Sequence, residues 1–223
     1  MTTDRMKIVD ILHTETNFNL ISHMQPDGDS VGSLLAMGLG LKQLNKNVKM
    51  FSPGNIPSKY NFLSGADLVS SDPALFNYNI PVIVLDSSDI ERLDIFAEVV
   101  GQNKIIINID HHITNQNYGT LNLVDSSASA TGELVYNLLK EINVKISRQI
   151  AEPLYVAIST DTGSFKYENT TPQTHRIVAA LLENNLNPSQ LSQRVFDERP
   201  LPFYTLLKEA LSSLELYENG AIA

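Results

Sequence analysis

Short apolar runs alternate along the chain with longer stretches whose apolar positions recur every three or four residues. The runs have strand length and are rich in Ile and Val: residues 18–24 (FNLISHM), 48–51, 80–85 (IPVIVL) and 104–109 (KIIINI). The periodic stretches predict helices over 31–44, 129–142, 147–159, 172–184, 188–197 and 203–217. Pro172 and Pro188 open two of them at the first turn, where a missing N–H costs nothing. Ser30 or Asp29 is expected to cap the first helix, and Ser129 the second. Strands apolar throughout are covered on both faces. The pattern therefore predicts an α/β fold: a mainly parallel sheet with helices on both faces, followed by a linker helix. Residues 1–199 would form the main domain and 200–217, set off by Pro200 and Pro202, the linker. Residues 218–223 read as the start of a second domain whose remainder is missing.

Composition narrows the chemistry. The chain has 223 residues, 43% of them hydrophobic, enough for one sizeable core. It has no Cys, which excludes disulfide scaffolds, thiolate zinc sites, iron–sulfur clusters and cysteine catalysis, and agrees with a cytoplasmic location. No signal peptide or membrane-spanning run stands out, so no membrane partner is expected. The net charge is −9, and Lys and Arg nowhere cluster along the sequence. Long duplex DNA, held by counterion release, is a poor partner for such a chain. Short nucleotides are compatible if cations sit in the site, and a homodimer is compatible with everything above.

The informative feature is where acids and histidines fall. His23, Asp27 and Asp29 follow the first strand, Asp86 ends IPVIVL, and Asp110, His111 and His112 follow KIIINI. Asp161 stands at a further apolar-to-polar junction, in Asp-Thr-Gly-Ser-Phe. In open parallel sheets, ligands bind beyond the carboxyl ends of the strands. Two carboxylates about 4 Å apart repel by roughly 4 kcal/mol at an effective dielectric of 20, so converging acids either take up protons or hold cations. Carboxylates with imidazoles and no thiolates suit Mn, Fe, Co, Zn or Mg. With so many ligands two ions are expected, and Asp86 could bridge them. Such a pair binds phosphate oxygens, makes hydroxide at neutral pH and stabilises in-line displacement.

Each motif alone has a plainer explanation. Asp27-Gly28-Asp29-Ser30 reads as a turn and helix cap, Asp86-Ser87-Ser88-Asp89 as another cap, His111-His112 as loop residues and Asp161-Thr162-Gly163 as a turn. His13 and His175 read as structural or exposed, and Tyr60 and Phe62 as packing residues. The conjunction of four motifs on one sheet edge is what outweighs those explanations.

Taken in order, the four motifs resemble the DHH phosphoesterase superfamily: 23–30 (HMQPDGDS), Leu85-Asp86, Asp110-His111-His112 and 161–165 (DTGSF). With 129–133 (SATGE), they resemble most the NrnA-type nanoRNase and nucleotide phosphatase subgroup. The resemblance implies two divalent ions, usually manganese. One would be held by His23, Asp27 and Asp86, the other by Asp29, Asp86, His111 and Asp161. It implies His112 at the substrate phosphate and Asp110 orienting a neighbour, giving catalytic roles to His112, Asp86 and Asp110. The implied reaction is hydrolysis of short oligoribonucleotides to 5′-mononucleotides, of adenosine 3′,5′-bisphosphate to AMP, or both. Alternatives are a linear dinucleotide (pApA) phosphodiesterase, a family II-like inorganic pyrophosphatase, a RecJ-like exonuclease, and a non-catalytic metal-binding or docking module. Family enzymes of this subgroup carry a second domain whose basic groups grip the substrate. That domain is missing here, and the resemblance leaves activity without it open.

Overall fold

The structure, a computed structural model, describes residues 3–215. In chain order its elements are α1 (Thr3–Thr14), β1 (Asn17–Ser22), α2 (Gly28–Gln43), β2 (Asn47–Phe51), β3 (Val69–Ser70), β4 (Val82–Leu85), α3 (Ala97–Gly101), β5 (Ile106–Asp110), β6 (Leu121–Val124), α4 (Thr131–Glu141), α5 (Arg148–Asp161), α6 (Pro172–Leu182), α7 (Pro188–Ser192) and α8 (Leu201–Ser212). The strands form one six-stranded sheet in the order β3-β2-β1-β4-β5-β6, parallel throughout. Chain order reverses between β1 and β4, and that crevice is the topological switch point where such sheets bind ligands.

Side-chain alternation explains the two-sided burial. In β4, Ile83 and Leu85 face a large core shared with α2, α4 and α5, while Val82 and Val84 face a smaller one. The smaller core is closed by Leu93, Phe96 and Val100, from a 3₁₀ turn (Glu91–Phe96) and α3. Each such side chain, fully buried, contributes about 1.5–3 kcal/mol of transfer free energy. On the large side α2 and α5 cross with almost no gap: a Cβ on Gly32 would lie 2.3 Å from the Pro153 carbonyl oxygen. That crossing sets the first turn of α2, which carries Asp29, against the last turn of α5, which carries Asp161.

Several elements depart from the sequence reading. The α1 helix was not anticipated, because only Ile8 and Leu12 of its twelve residues are buried. β6 was missed because its four residues, LNLV, alternate in burial and make no apolar run. The 188–197 helix is α7 followed by a wider π turn, Gln193–Asp197. Both expected caps are corrected. The cap of α2 is Asp27, with extended backbone (φ −93°, ψ −164°) and a side chain accepting from the Ser30 N–H at 3.0 Å; Ser30 and Asp29 lie inside the helix. Ala130 precedes α4 and offers no side-chain cap, while the Ser129 hydroxyl donates to Glu133 instead. α8 lies where the linker helix is expected, with its described side chains exposed. The expected start of a second domain, 218–223, lies outside the described residues. Among the described residues no helix is long and apolar enough to cross a membrane.

Candidate metal centre

β1, β4 and β5 run parallel and in register, so their carboxyl ends come to one edge and each is followed by a candidate ligand. Beyond β1 the chain delivers His23, fully buried, then Asp27 at the solvent-facing start of α2. Asp86 follows β4 in a left-handed backbone conformation (φ 61°), which a short polar side chain tolerates and which turns the chain sharply off the strand. Asp110 ends β5, and His111 and His112 follow.

Asp86 is the hub. Its Oδ2 lies 3.6 Å from His23 Nε2, and its Oδ1 lies 3.9 Å from His111 Nε2 and 3.8 Å from His112 Nδ1. His111 Nε2 also stands 2.9 Å from Asp161 Oδ2 and 3.7 Å from Asp29 Oδ2. Three sets of donor atoms each close to within 4.8 Å: His23, Asp27 and Asp86; Asp29, His111 and Asp161; Asp86, His111 and His112. All seven residues expected to hold metal or meet phosphate therefore converge. Asp110 sits just behind them, fully buried, with Oδ1 accepting from His112 Nδ1 at 2.7 Å. His13 and His175 lie apart on exposed positions, Tyr60 is a buried packing residue and Phe62 is half-buried.

The electrostatics show crowding. Burial, then the charges of Asp86, Asp161 and Asp27, hold the Asp29 carboxyl well above the usual carboxylate range. Burial opposes ionisation of Asp86 too, but contact with His23 and the charges of His112 and His111 outweigh it and lower its pKa. Burial works against a charged His111, yet the Asp161 carboxylate and the Asp86 charge prevail and carry its pKa to about 9. The raised pKa values both favour added protons, on the His111 imidazole and on the Asp29 carboxyl.

A cation would relieve the crowding better, and one atom shows the fit. His111 Nε2 is buried and, although close to Asp161, makes no aligned hydrogen bond. A buried imidazole nitrogen among carboxylates with no hydrogen-bond geometry suits a metal ligand. The opposite ring nitrogens are anchored by oxygens: His23 Nδ1 lies 2.6 Å from the Met24 carbonyl and His111 Nδ1 3.3 Å from that of Ala128. Ligating histidines are oriented in this way.

Residues not singled out as ligands hold the centre in place. Asp29 caps α4 from a distance: Oδ2 accepts from the Thr131 N–H at 2.6 Å and Oδ1 from Gly132 at 2.9 Å. The Thr131 hydroxyl donates to Asp86 Oδ1 at 2.9 Å. The Asn115 amide reaches Asp110 Oδ2 and Asn108 Oδ1. Thr131 and Gly132 lie in the 129–133 segment, which in the sequence carries only the subgroup resemblance; nothing in the sequence marks Asn115. Replacing Thr131 by the isosteric Val should keep the fold, because the backbone bond to Asp29 remains, but free Asp86 to rotate. Divalent-ion affinity measured by calorimetry should fall about 10–100-fold, as when a ligand's outer partner is removed. Unchanged affinity would leave Thr131 a structural residue only.

Fold and site together define a doubly wound α/β domain with a carboxylate–imidazole cluster at its switch point. The family described as "DHH family, N-terminal domain" matches residues 17–158, and the chain belongs to that family. The chain is 32% identical over 203 residues to the bifunctional oligoribonuclease and PAP phosphatase NrnA of Thermus thermophilus, covering 91% of this chain and 60% of that protein. It is 30% identical over 202 residues to the protein of the same description from Bacillus subtilis, covering 89% and 63%. It thus spans about three-fifths of these relatives. In fold it is similar to an exopolyphosphatase-related protein from Bacteroides fragilis, with a TM-score of 0.89 and 22% identity, over 98% of this chain and 68% of that one.

Proposed function

We propose that this chain carries the catalytic centre of a metal-dependent phosphoesterase acting on short oligoribonucleotides, released as 5′-mononucleotides, and on the 3′-phosphate of adenosine 3′,5′-bisphosphate. The observation that carries the reading is the sharing of Asp86 between two donor sets, His23 with Asp27 on one side and His111 with His112 on the other. Residues 1–199 are the catalytic domain on this reading and α8 its linker. The substrate class is drawn from the relatives' names, which describe proteins of greater length.

His23, Asp27 and Asp86 would hold one divalent ion and Asp29, Asp86, His111 and Asp161 a second, manganese fitting the oxygen and nitrogen donors. Such ions, when bound, neutralise the acids, draw charge from phosphoryl oxygens and acidify water. His112 is the group left for the substrate. Its Nδ1 is committed to Asp110, and that contact, ahead of burial, raises its pKa. Asp110 thus favours the protonated ring, which is partly exposed and able to donate to a phosphoryl oxygen as charge develops there. Asp110, fixed by Asn115 and by the His111 N–H, prevents the ring from turning.

The test is a panel of pApA, adenosine 3′,5′-bisphosphate and inorganic pyrophosphate, offered to the manganese-loaded protein with products resolved by chromatography. AMP should appear from the first two. Turnover of pyrophosphate alone, or of none of the three, would overturn the reading.

A further inference from the structure

No basic cluster is visible along the sequence, yet the fold builds one. Lys59, from the loop after β2, meets Arg194 in the π turn and Arg199 just before α8 around a cavity of about 700 Å³. Phe62 and Tyr204 line the same cavity, as do the acids Asp197 and Glu198. Two arginines elsewhere take carboxylate partners, Arg5 with Glu141 at 2.8 Å and Arg148 with Glu152 at 2.8 Å, while Arg176 bonds the Gln173 amide oxygen. Among the described residues, none of the three cavity cations has a carboxylate within 4.0 Å; Arg199 donates only to the Glu198 carbonyl. They lie instead against rings: Lys59 is 4.7 Å from the Tyr60 centroid, Arg194 4.9 Å from Phe62 and Arg199 5.8 Å from Phe203. In a chain of net charge −9, three cations that share one cavity with no ion-pair partner within 4.0 Å offer a place for an anion.

Asp27 and Asp161 act electrostatically on the Tyr60 hydroxyl, and Asp27 on the Lys59 ammonium. Burial and the like charge of Arg199 depress the Lys59 pKa, so the cations crowd each other. Guanidinium groups and open aromatic faces stack on bases and pair with phosphate oxygens.

We infer that the cavity of Lys59, Arg194 and Arg199, walled by Phe62 and Tyr204, is a nucleotide subsite holding a phosphate and base beside the one being cleaved. The inference rests on the phosphoesterase reading for which phosphate reacts, but its binding chemistry stands on these residues. One consequence is that the grip on substrate is partly built into this chain.

The experiment measures binding without turnover: fluorescently labelled pApA, titrated with the full chain in EDTA at several salt concentrations. Lys59→Met and Arg199→Gln keep the apolar stems and remove the charges. Each should weaken binding about tenfold, the loss of one charge-assisted hydrogen bond. Each should also flatten the dependence of log affinity on log salt by about 0.7, the value for one phosphate contact on a single strand. Lys140→Met, the same charge change at an exposed position on α4, should alter neither. Arg194→Met, which retains the stem over Phe62, provides an independent third variant. Binding and salt slope equal to wild type in all three cavity variants would overturn the subsite. Binding lost in the variants while wild type cleaves no phosphoester would uphold the subsite and sink the phosphoesterase reading.

Discussion

Replacing Asp86 by Asn should reduce metal-dependent turnover of pApA by about 10³-fold or more, while leaving a folded protein. Asn is the informative choice. It tolerates the left-handed backbone (φ 61°) that follows β4, where Ala would add about 1–2 kcal/mol of strain. Its amide oxygen can still accept the Thr131 hydroxyl, now 2.9 Å from Oδ1. What disappears is one negative charge at the atom pair that faces His23 on one side and His111 and His112 on the other. Removing one electrostatic group from a reacting centre costs about 10²–10³ in rate, and on the proposed reading Asp86 would serve both ions, so the upper end is expected. A second readout separates binding from chemistry. A ligand present at 100 times its dissociation constant stabilises the fold by about 2.7 kcal/mol, and Asp86→Asn should erase most of the rise in Tm produced by manganese. Turnover within tenfold of wild type, with the manganese shift intact, would remove Asp86 from its bridging position.

The sheet was legible because its central strands, VIVL and IINID, are buried on both sides and rich in Ile and Val, and such runs have few alternatives once bounded by Pro or Asp. The meeting of the candidate ligands at one edge was legible for the same reason: register between parallel neighbours carries whatever follows Leu85 and Ile109 there. Contacts made by elements far apart in sequence were not legible. Asp29 looks like a cap of its own helix, yet its oxygens serve the N–H groups of α4, 102 and 103 residues onward. That arrangement follows from the closeness of α2, α4 and α5. Gly132, whose Cβ would sit 2.7 Å from that of Ala157, permits the approach, and no local pattern announces it. The cation cavity has the same origin. Lys59 and Arg199 are isolated basic residues in loops, brought together only when the turns after β2 and α7 pack.

Metal removal should reverse the response of stability to pH. In the metal-free protein His111 goes from 6.5 unfolded to about 9 folded, because Asp161 and Asp86 outweigh its burial. A raised histidine contributes stability that is complete below its unfolded pKa and lost as pH climbs through the folded one. The chelated protein should therefore melt higher at pH 6.5 than at pH 9. His23 and His112, raised in the same direction, add to this trend. Asp29, also raised, has the same sign, its contribution being complete below 3.8; the contrast between pH 6.5 and 9 rests on the histidines. Asp86 is lowered and opposes the others, but its contribution is lost only as pH falls below 3.8, outside this window. The coupled gain should be on the order of 2 kcal/mol, roughly 5 °C in Tm for a chain of this size. Bound metal inverts the sign, because protons and cations compete for His23, His111 and the carboxylates, so ion affinity grows as protons leave. The Tm increment from manganese, measured under argon by calorimetry, should then be larger at pH 9 than at pH 6.5. EDTA should abolish turnover at both. A chelated protein that melts higher at pH 9, or a manganese increment independent of pH, would mean that His111 is not the group on which acids and ions compete.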